Sequence, residues 1–272
     1  MANHYDPACG GSPLLKMEGL VAHYTSRETG IEGVLNSGCL KFSSRIDVND
    51  PRESKLRGSH MGWCGHEGEH YATPILSELT RAVDSCLQIC CFSESSENRY
   101  TSIVGQSFCL PNMWAYYGAN HTGMCFLFDK QKLIDTINQN ILLEASSMNY
   151  ADSMESDYIF TQFGSLAVID EKYHGDIKEF IRDHCKQNGI PLIFQKDDCW
   201  RSEQELRVLI YGEGEDSNSF IEYGDALVGI ILGLDFNMVY LPLIRSMIPS
   251  GVELAGLEWD GATFDYRLAQ IK

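Results

Sequence analysis

The sequence predicts an α+β fold in which helices pack around mostly antiparallel strands. Strand-like apolar stretches and helical stretches do not alternate regularly along the chain, which argues against a doubly wound parallel sheet. The 272 residues are 44% hydrophobic and 22% charged, a composition typical of globular proteins. No linker, internal repeat or low-complexity segment interrupts the chain. We therefore predict a flexible N-terminal arm over residues 1–18 and a single domain over residues 19–272.

The domain is predicted to begin with two strands joined by a helix. The stretches "GLVAHYTS" and "CLKFSS" are typical of strands. Between them, "SRETGIEGVLNSG" predicts a helix with Ser26 or Thr29 as N-cap and Gly38 just beyond its C-terminus. Residues 45–73 then form a long polar connection, and loops of that length in compact domains are usually functional or mobile.

The remaining elements follow from periodicity and turn residues. Helices are predicted at "PILSELTRAVDSC", "LPNMWAYYGANH", "KQKLIDTINQN", residues 171–186 and "DFNMVYLPLIRSMIP". Strands are predicted at "LQICCFS", "TGMCFLFD", "QELRVLIYG", "NSFIEYG", "LVGIILGL" and near residues 252–257 and 263–271.

The chain carries a formal net charge of −17, which repels a phosphate backbone over most of the surface. This charge argues against a broad, non-specific nucleic-acid binder, although a local basic cleft stays open as an alternative. We find no apolar run long enough for a transmembrane helix and no signal-peptide pattern at the N-terminus. Together with ten cysteines, these features predict reduced thiols and a cytoplasmic protein without a membrane partner.

A cluster of potential metal ligands lies in the long polar connection, at His60, Cys64, His66 and His70. Its spacing matches no zinc-finger or catalytic zinc pattern, and the interspersed glycines are typical of a solvated loop, so we predict no metal site. Phosphate-binding glycine loops and the nucleophile-elbow pattern are also missing from the sequence. The P-loop, Rossmann and serine-hydrolase classes therefore lose their main support.

The segment "KDDCWRSEQELRVLI" is more informative. Glu203 and Glu205 lie two residues apart at the predicted start of a strand, so both carboxylates are expected on one face, continued by Arg207. One interpretation is an exposed strand edge. The alternative is a cleft wall beside Trp200, where paired carboxylates hold a sugar hydroxyl and stabilise a developing cation.

An aromatic cluster in "MWAYYGANHTG" includes Trp114, Tyr116, Tyr117 and His121. An aromatic helix face most often packs into a core. His121, however, lies in a helix-to-strand turn, where ligand contacts are common. Both interpretations stay open.

The chain shows two resemblances to known families. The stretch "HYTS…GIEGVLNSGCLKFSS" resembles the opening of ADP-ribosyltransferase-fold enzymes, particularly the DNA-targeting toxins called DarT, which begin with H-x-T and a helix. The chain also resembles a bacterial family of unknown function marked by "F-S…NDP.E", "CFS", "MW..YA..H.G" and "W..E.E.R". These motifs occur here at residues 42–53, 91–93, 113–123 and 200–207. The resemblance implies an ADP-ribosyltransferase-like fold with a split, mostly antiparallel β-sheet and surrounding helices.

The resemblance further implies NAD as co-substrate. Glu205 would anchor the nicotinamide ribose and stabilise an oxocarbenium-like transition state, and Glu203 would position or deprotonate the acceptor. His23, assisted by Thr25 or Ser26, would contact the adenosine-side ribose, and Tyr116 or Tyr117 would stack on nicotinamide. Ser93 matches a serine of the family's S-T-S strand, whose flanking threonine and serine are missing here. The full predicted NAD-binding set is His23, Tyr24, Thr25, Ser26, Ser43, Ser44, Asn49, Ser93, Trp114, Tyr117, His121 and Arg207.

The first function hypothesis is therefore ADP-ribosyl transfer or NAD hydrolysis, by a toxin or phage-defence effector with a possible antitoxin or immunity partner. The acceptor stays open between a protein side chain and a nucleic-acid base. A second hypothesis is a non-catalytic module that binds a nucleotide or a partner protein. A third is a metal-dependent nuclease or hydrolase built on Asp47, Asp50, Glu53 and the histidine loop.

Overall fold

The computed structural model describes residues 12–44, 48, 82–83, 85–95, 106–137, 141–151, 177–188, 191–212, 218–261 and 265–271. Twelve strands occur in this part of the chain. They are β1 Leu20–Thr25, β2 Cys39–Ser44, β3 Leu87–Glu94, β4 Met124–Asp129, β5 Leu142–Ser147, β6 Asn149–Ala151, β7 Gln195–Asp197, β8 Glu205–Tyr211, β9 Asn218–Glu222, β10 Leu227–Leu232, β11 Glu253–Asp260 and β12 Asp265–Gln270.

Four α-helices lie among these strands: α1 Pro111–Tyr116, α2 Lys130–Thr136, α3 Ile177–Asn188 and α4 Leu241–Met247. A π-helical segment spans Thr29–Leu35, and the 3₁₀ turns are Pro13–Lys16, Pro191–Phe194, Asp198–Glu203, Gly224–Ala226 and Met238–Tyr240. No helix in the described ranges is long and apolar enough to cross a membrane.

Ten of the strands form one open, mostly antiparallel sheet, which confirms the predicted α+β class. One path through this sheet runs β12-β11-β10-β4-β1-β3-β2-β9, and β8 joins β3 to β5. Within it, β10 and β11 pair in parallel. The short strands β6 and β7 form a separate parallel pair, which sequence periodicity did not predict.

The sheet divides along one edge of β3. On one side, β3 is paired with β8 along its length. On the other edge, β1 pairs only through Val21 and Ala22, at the C-terminal end of β3. Strand β2 pairs only through Ser43 and Ser44, at its N-terminal end. The middle of β3 therefore borders a gap between two diverging strands.

Each diverging strand is held by its other neighbour. Strand β1 stays paired with β4 along its length, and β2 stays paired with β9. The segment that contains the π-helix connects the end of β1 to the start of β2. Ser26 caps the N-terminus of this segment by accepting a hydrogen bond from the Thr29 amide at 3.1 Å. Gly38 follows with φ +69°, a left-handed conformation that glycine adopts at low cost. Ser26 is thus the cap, and the helix that follows has π rather than α geometry over Thr29–Leu35.

The described end of the N-terminal segment is packed rather than loose. Leu14 is only 1% exposed and belongs to the core cluster that contains Tyr24 and Trp114. The Ser12 hydroxyl accepts a hydrogen bond from the Leu14 amide at 3.3 Å. The rest of the predicted arm, residues 1–11, lies outside the described residues.

Alternate residues of the central strands serve different cores. On β1, Val21 packs into one large cluster, while Ala22 and Tyr24 pack into another on the opposite face. On β8, Leu206 and Leu209 likewise belong to different clusters. All seven residues of β8 are buried, so the interpretation of an exposed strand edge is wrong.

A left-handed loop follows α1. Ala119, Asn120 and His121 have φ values of 49°, 51° and 66°, and consecutive left-handed residues without glycine are rare because of the steric cost to Cβ. The loop then passes very close to β1. A Cβ on Gly123 would lie 2.2 Å from the Thr25 carbonyl oxygen and 2.8 Å from that of Gly118.

Gly123→Ala is therefore expected to lower the free energy of unfolding by about 3 kcal/mol, because the added methyl group forces backbone to move. Gly261→Ala is a matched control, since its Cβ would meet no atom within 4 Å. Urea unfolding of both variants checks the prediction. Equal stability of the two variants would contradict it.

Candidate functional site

A cavity of about 230 Å³ lies where the sheet divides. Its walls come from β1, β2, β3 and β8, with Met113 from α1, Tyr117 directly after α1 and Lys196 from β7. The polar side chains that line it are His23, Lys41, Ser43, Ser44, Cys91, Tyr117, Lys196, Glu203, Glu205 and Arg207.

A buried lysine joins the two glutamates of this cavity. The Lys196 ammonium donates to Glu203 Oε2 at 2.5 Å and to Glu205 Oε2 at 2.9 Å. Lys196 is 4% exposed, Glu203 2% and Glu205 5%, so water screens these charges little. The Lys196 ammonium also lies 5.1 Å from the centre of the Trp200 ring, within cation–π range.

Arg207 completes the pairing of Glu205. Its Nε and Nη2 atoms both lie 2.8 Å from Glu205 Oε1. Arg207 Nη1 donates to the Ile193 carbonyl oxygen at 2.6 Å, which fixes the guanidinium against a neighbouring 3₁₀ turn. Each carboxylate oxygen of Glu205 therefore faces a cation.

These contacts decide the ionisation of the cavity. Burial by itself would raise the pKa of Glu205, but the charges of Arg207 and Lys196 outweigh it and lower that pKa from its ordinary 4.5 to about 2. Burial opposes charge on Lys196, yet the charges of Glu205 and Glu203 raise its pKa. Glu205 and Lys196 are therefore both charged at neutral pH.

Glu203 reaches the cavity by a different route from the one predicted. It ends the 3₁₀ turn Asp198–Glu203, and Gln204 follows with φ 49°, so strand alternation does not relate Glu203 to Glu205. Instead, Lys196 brings the two carboxylates together. Tyr117 fixes the other oxygen of Glu203 by donating its hydroxyl to Oε1 at 2.9 Å.

His23 fills part of the gap between β1 and β2. Its Nδ1 lies 3.0 Å from the Cys91 carbonyl oxygen, on the stretch of β3 that neither strand pairs. Burial lowers the pKa of His23, so the ring is neutral at neutral pH and Nδ1 carries the donated hydrogen. His23 and Glu205, distant in sequence, line the same cavity.

Cys91 lies on the cavity wall next to Glu205. Burial, followed by the nearby charge of Glu205, raises the pKa of its thiol well above the ordinary value of 9.0. The thiol is therefore protonated and is a poor nucleophile.

The predicted NAD-binding residues divide into two groups. His23, Ser43, Ser44, Tyr117 and Arg207 line the cavity together with both glutamates. Tyr24 borders the cavity, but its hydroxyl donates to the Ser107 carbonyl at 2.6 Å and its ring packs edge-on against Trp114.

The other predicted residues lie elsewhere in the described part of the chain. Trp114 is fully buried and donates to the Phe108 carbonyl at 2.9 Å, and the His121 ring stacks on it at 6.3 Å. Thr25 ends β1, and Ser26 caps the following segment. Ser93 is buried opposite Glu205 in the β3–β8 pairing. None of these five residues lines the cavity.

Some predicted residues cannot be placed. Asn49, Asp47, Asp50, Glu53 and the histidine loop lie outside the described residues. Within the described ranges, no group of three or more His, Cys, Asp or Glu side chains has an arrangement that could hold a metal ion.

Two charged residues of the cavity, Lys41 and Lys196, were not predicted. Lys41 lies on β2 two residues before Ser43, so strand alternation from Ser43 was a signal that could have identified it. No sequence pattern indicated Lys196. It lies on the three-residue strand β7, opposite Tyr150 in the parallel pairing with β6, and this long-range pairing orients it.

Part of the chain matches a known family model. No curated protein matches the chain. Residues 113–208 match the family model described as "Protein of unknown function (DUF2971)". This range begins at Met113, includes the motif that ends at Gly123 and ends just after Arg207, so it contains two of the four motifs noted in the sequence. Over residues 113–208, which contain Tyr117, Lys196 and both glutamates of the cavity, the chain is similar to this family of proteins of unknown function.

Proposed function

We propose that this protein cleaves the N-glycosidic bond of NAD and transfers the ADP-ribosyl group to an acceptor or to water. The observation that carries the proposal is the meeting of His23, Glu203 and Glu205 in one cavity where the sheet divides. This is the arrangement that the H-x-T and E-x-E resemblance to ADP-ribosyltransferases implies. The proposal includes the ADP-ribosyltransferase-like fold, which the division of the sheet along β3 supports.

The charge of Glu205 suits this reaction. When the bond between C1′ of the ribose and the nicotinamide nitrogen breaks, its electron pair leaves with nicotinamide and positive charge develops on the ribose. A fixed, ionised carboxylate in a water-poor cavity stabilises that charge without reorganisation. The acceptor or water then bonds to C1′ and loses a proton, for which Glu203 is the second carboxylate in reach.

The cavity accommodates only part of a dinucleotide. Its volume of about 230 Å³ is below the range of about 300–1,000 Å³ that is usual for drug-sized ligands. We therefore assign the nicotinamide ribose end to the cavity. The adenosine end would extend past its rim. In this proposal His23, which lines the cavity, lies beside the nicotinamide half rather than beside the adenosine-side ribose that the resemblance implies.

A second candidate function is a non-catalytic nucleotide-binding module. The full pairing of Glu205 with Lys196 and Arg207 favours it, since a ribose hydroxyl must share an oxygen that already accepts from a cation. Paired ions of this kind also serve to hold a buried site in one conformation.

Incubation of the purified protein with NAD labelled in the nicotinamide ring distinguishes the candidates. We expect release of free nicotinamide, alongside calorimetric binding of NAD. Binding without release would favour the module, and the absence of both would contradict the first two candidates. A chelator-sensitive nuclease or hydrolase activity independent of NAD would instead support the metal enzyme.

The acceptor is proposed as a protein side chain or a nucleic-acid base, in keeping with a toxin or phage-defence effector. Mass spectrometry of a lysate incubated with labelled NAD identifies it. Expression of the protein is expected to slow bacterial growth, and a neutralising antitoxin or immunity protein would relieve that effect. Normal growth with active enzyme present would argue against the toxin role.

A further inference from the structure

The cavity differs in charge from the protein around it. The chain has a formal net charge of −17. The cavity lining instead holds three cations (Lys41, Lys196 and Arg207) and two carboxylates, which leaves a formal charge of +1. Since Lys196 and Arg207 pair with the glutamates, the excess charge belongs to Lys41.

Lys41 lies at the rim of the cavity rather than at its floor. Its side chain is exposed, whereas Glu203 and Glu205 are buried. No carboxylate of the described residues forms an ion pair with Lys41. A ligand that enters the cavity therefore meets this ammonium while its inner end approaches the glutamates.

Hydrogen-bond donors accompany Lys41 along β2. Ser43 lies two residues further on the same strand face and is partly exposed to the cavity, and Ser44 also lines it. This wall thus presents the Lys41 ammonium and the Ser43 hydroxyl, which suit anionic oxygens. The carboxylates of Glu203 and Glu205, which also line the cavity, accept hydrogen bonds, which suits sugar hydroxyls or a developing cation.

We propose that Lys41 and Ser43 form a phosphate subsite, so that the cavity takes a phosphorylated ribosyl compound, of mononucleotide size, rather than a free nucleoside. The proposal deepens and rests on the proposed function, because it assigns the ribose to Glu205 and the adjoining phosphate to the β2 wall. A lysine ammonium is a common point-charge partner of phosphate. The small cavity volume agrees with recognition of the nicotinamide mononucleotide half of NAD.

Calorimetry with two probes tests this subsite. Nicotinamide mononucleotide and nicotinamide riboside differ only in the phosphate. We expect wild-type protein to bind the mononucleotide about tenfold more tightly, and Lys41→Gln to lose most of that preference while binding the riboside as before. Lys186→Gln, an exposed lysine on α3 that does not line the cavity, is the matched control and should keep the preference.

An unchanged preference in Lys41→Gln, or none in the wild type, would overturn the phosphate subsite. Because calorimetry measures binding without turnover, it tests the phosphate subsite independently of the proposed enzymatic function. Lys41-dependent binding without nicotinamide release would leave the subsite standing and remove the enzymatic role. Nicotinamide release by a protein that binds the mononucleotide and the riboside equally well would support the enzymatic role and overturn the phosphate subsite.

Discussion

Glu205→Gln is expected to lower kcat/KM for NAD by about 10²–10³-fold. Glutamine keeps the shape of the side chain but removes the charge that would stabilise the ribosyl cation, and loss of one preorganised electrostatic contact typically costs this much. Nicotinamide release at neutral pH measures the change. A variant with wild-type turnover would remove Glu205 from the catalytic role.

The control for this variant has to separate chemistry from folding. Glu222→Gln makes the same change at an exposed position on β9 and is expected to retain full activity. Glu205→Gln also leaves Lys196 and Arg207 with one carboxylate fewer, so its melting temperature should fall. Circular dichroism at the assay temperature shows whether the variant is folded when its activity is measured.

Lys196→Met is expected to lower the free energy of unfolding by about 3–5 kcal/mol at pH 7. The substitution leaves two buried carboxylates without the ammonium that joins them, and breaking a buried ion pair on one side has this cost. Urea unfolding measures the loss. Lys132→Met removes a surface ion pair with Asp225 and should have a much smaller effect.

The loss in Lys196→Met should depend on pH. In the wild type the pKa of Glu205 is lowered from 4.5 to about 2, so its stabilising contribution is present above about pH 4.5 and is lost as the pH falls toward 2. The raised pKa of Lys196 gives a contribution that is present below its ordinary 10.5 and is lost only at higher pH. The difference between wild type and variant should therefore be largest between about pH 5 and 10. A difference that is constant down to pH 3 would contradict this account.

Local pattern predicted much of the sheet but not the arrangement inside the cavity. Alternation placed Glu205 and Arg207 on one face of β8, and the structure shows them paired there. Alternation also predicted that Glu203 shares the strand face of Glu205. Glu203 does reach the same cavity, but it ends a 3₁₀ turn and the left-handed Gln204 separates it from β8, so alternation is not the reason. A single residue outside the extended region is enough to cancel an argument from strand periodicity.

Long-range contacts explain what the sequence could not predict. Lys196 enters the cavity through a parallel pair of three-residue strands, and such short strands carry little periodicity. Trp114 on α1 packs into the core, as the aromatic face of a helix usually does. Tyr117, three residues after Trp114 and just beyond α1, donates its hydroxyl to Glu203 instead, a long-range contact that helical periodicity does not predict.

Strands β1 and β2 pair with opposite ends of the same side of β3, and this arrangement has a consequence for ligand affinity. The separation of β1 from β2 is set by the hydrogen bonds that tie β1 to β4 and β2 to β9, so the width of the cavity is a property of the sheet framework. A ligand then needs to order little of this wall as it binds, which lowers the entropic cost of binding. Substitutions in the distant partner strands should accordingly change ligand affinity, even where they touch no ligand atom.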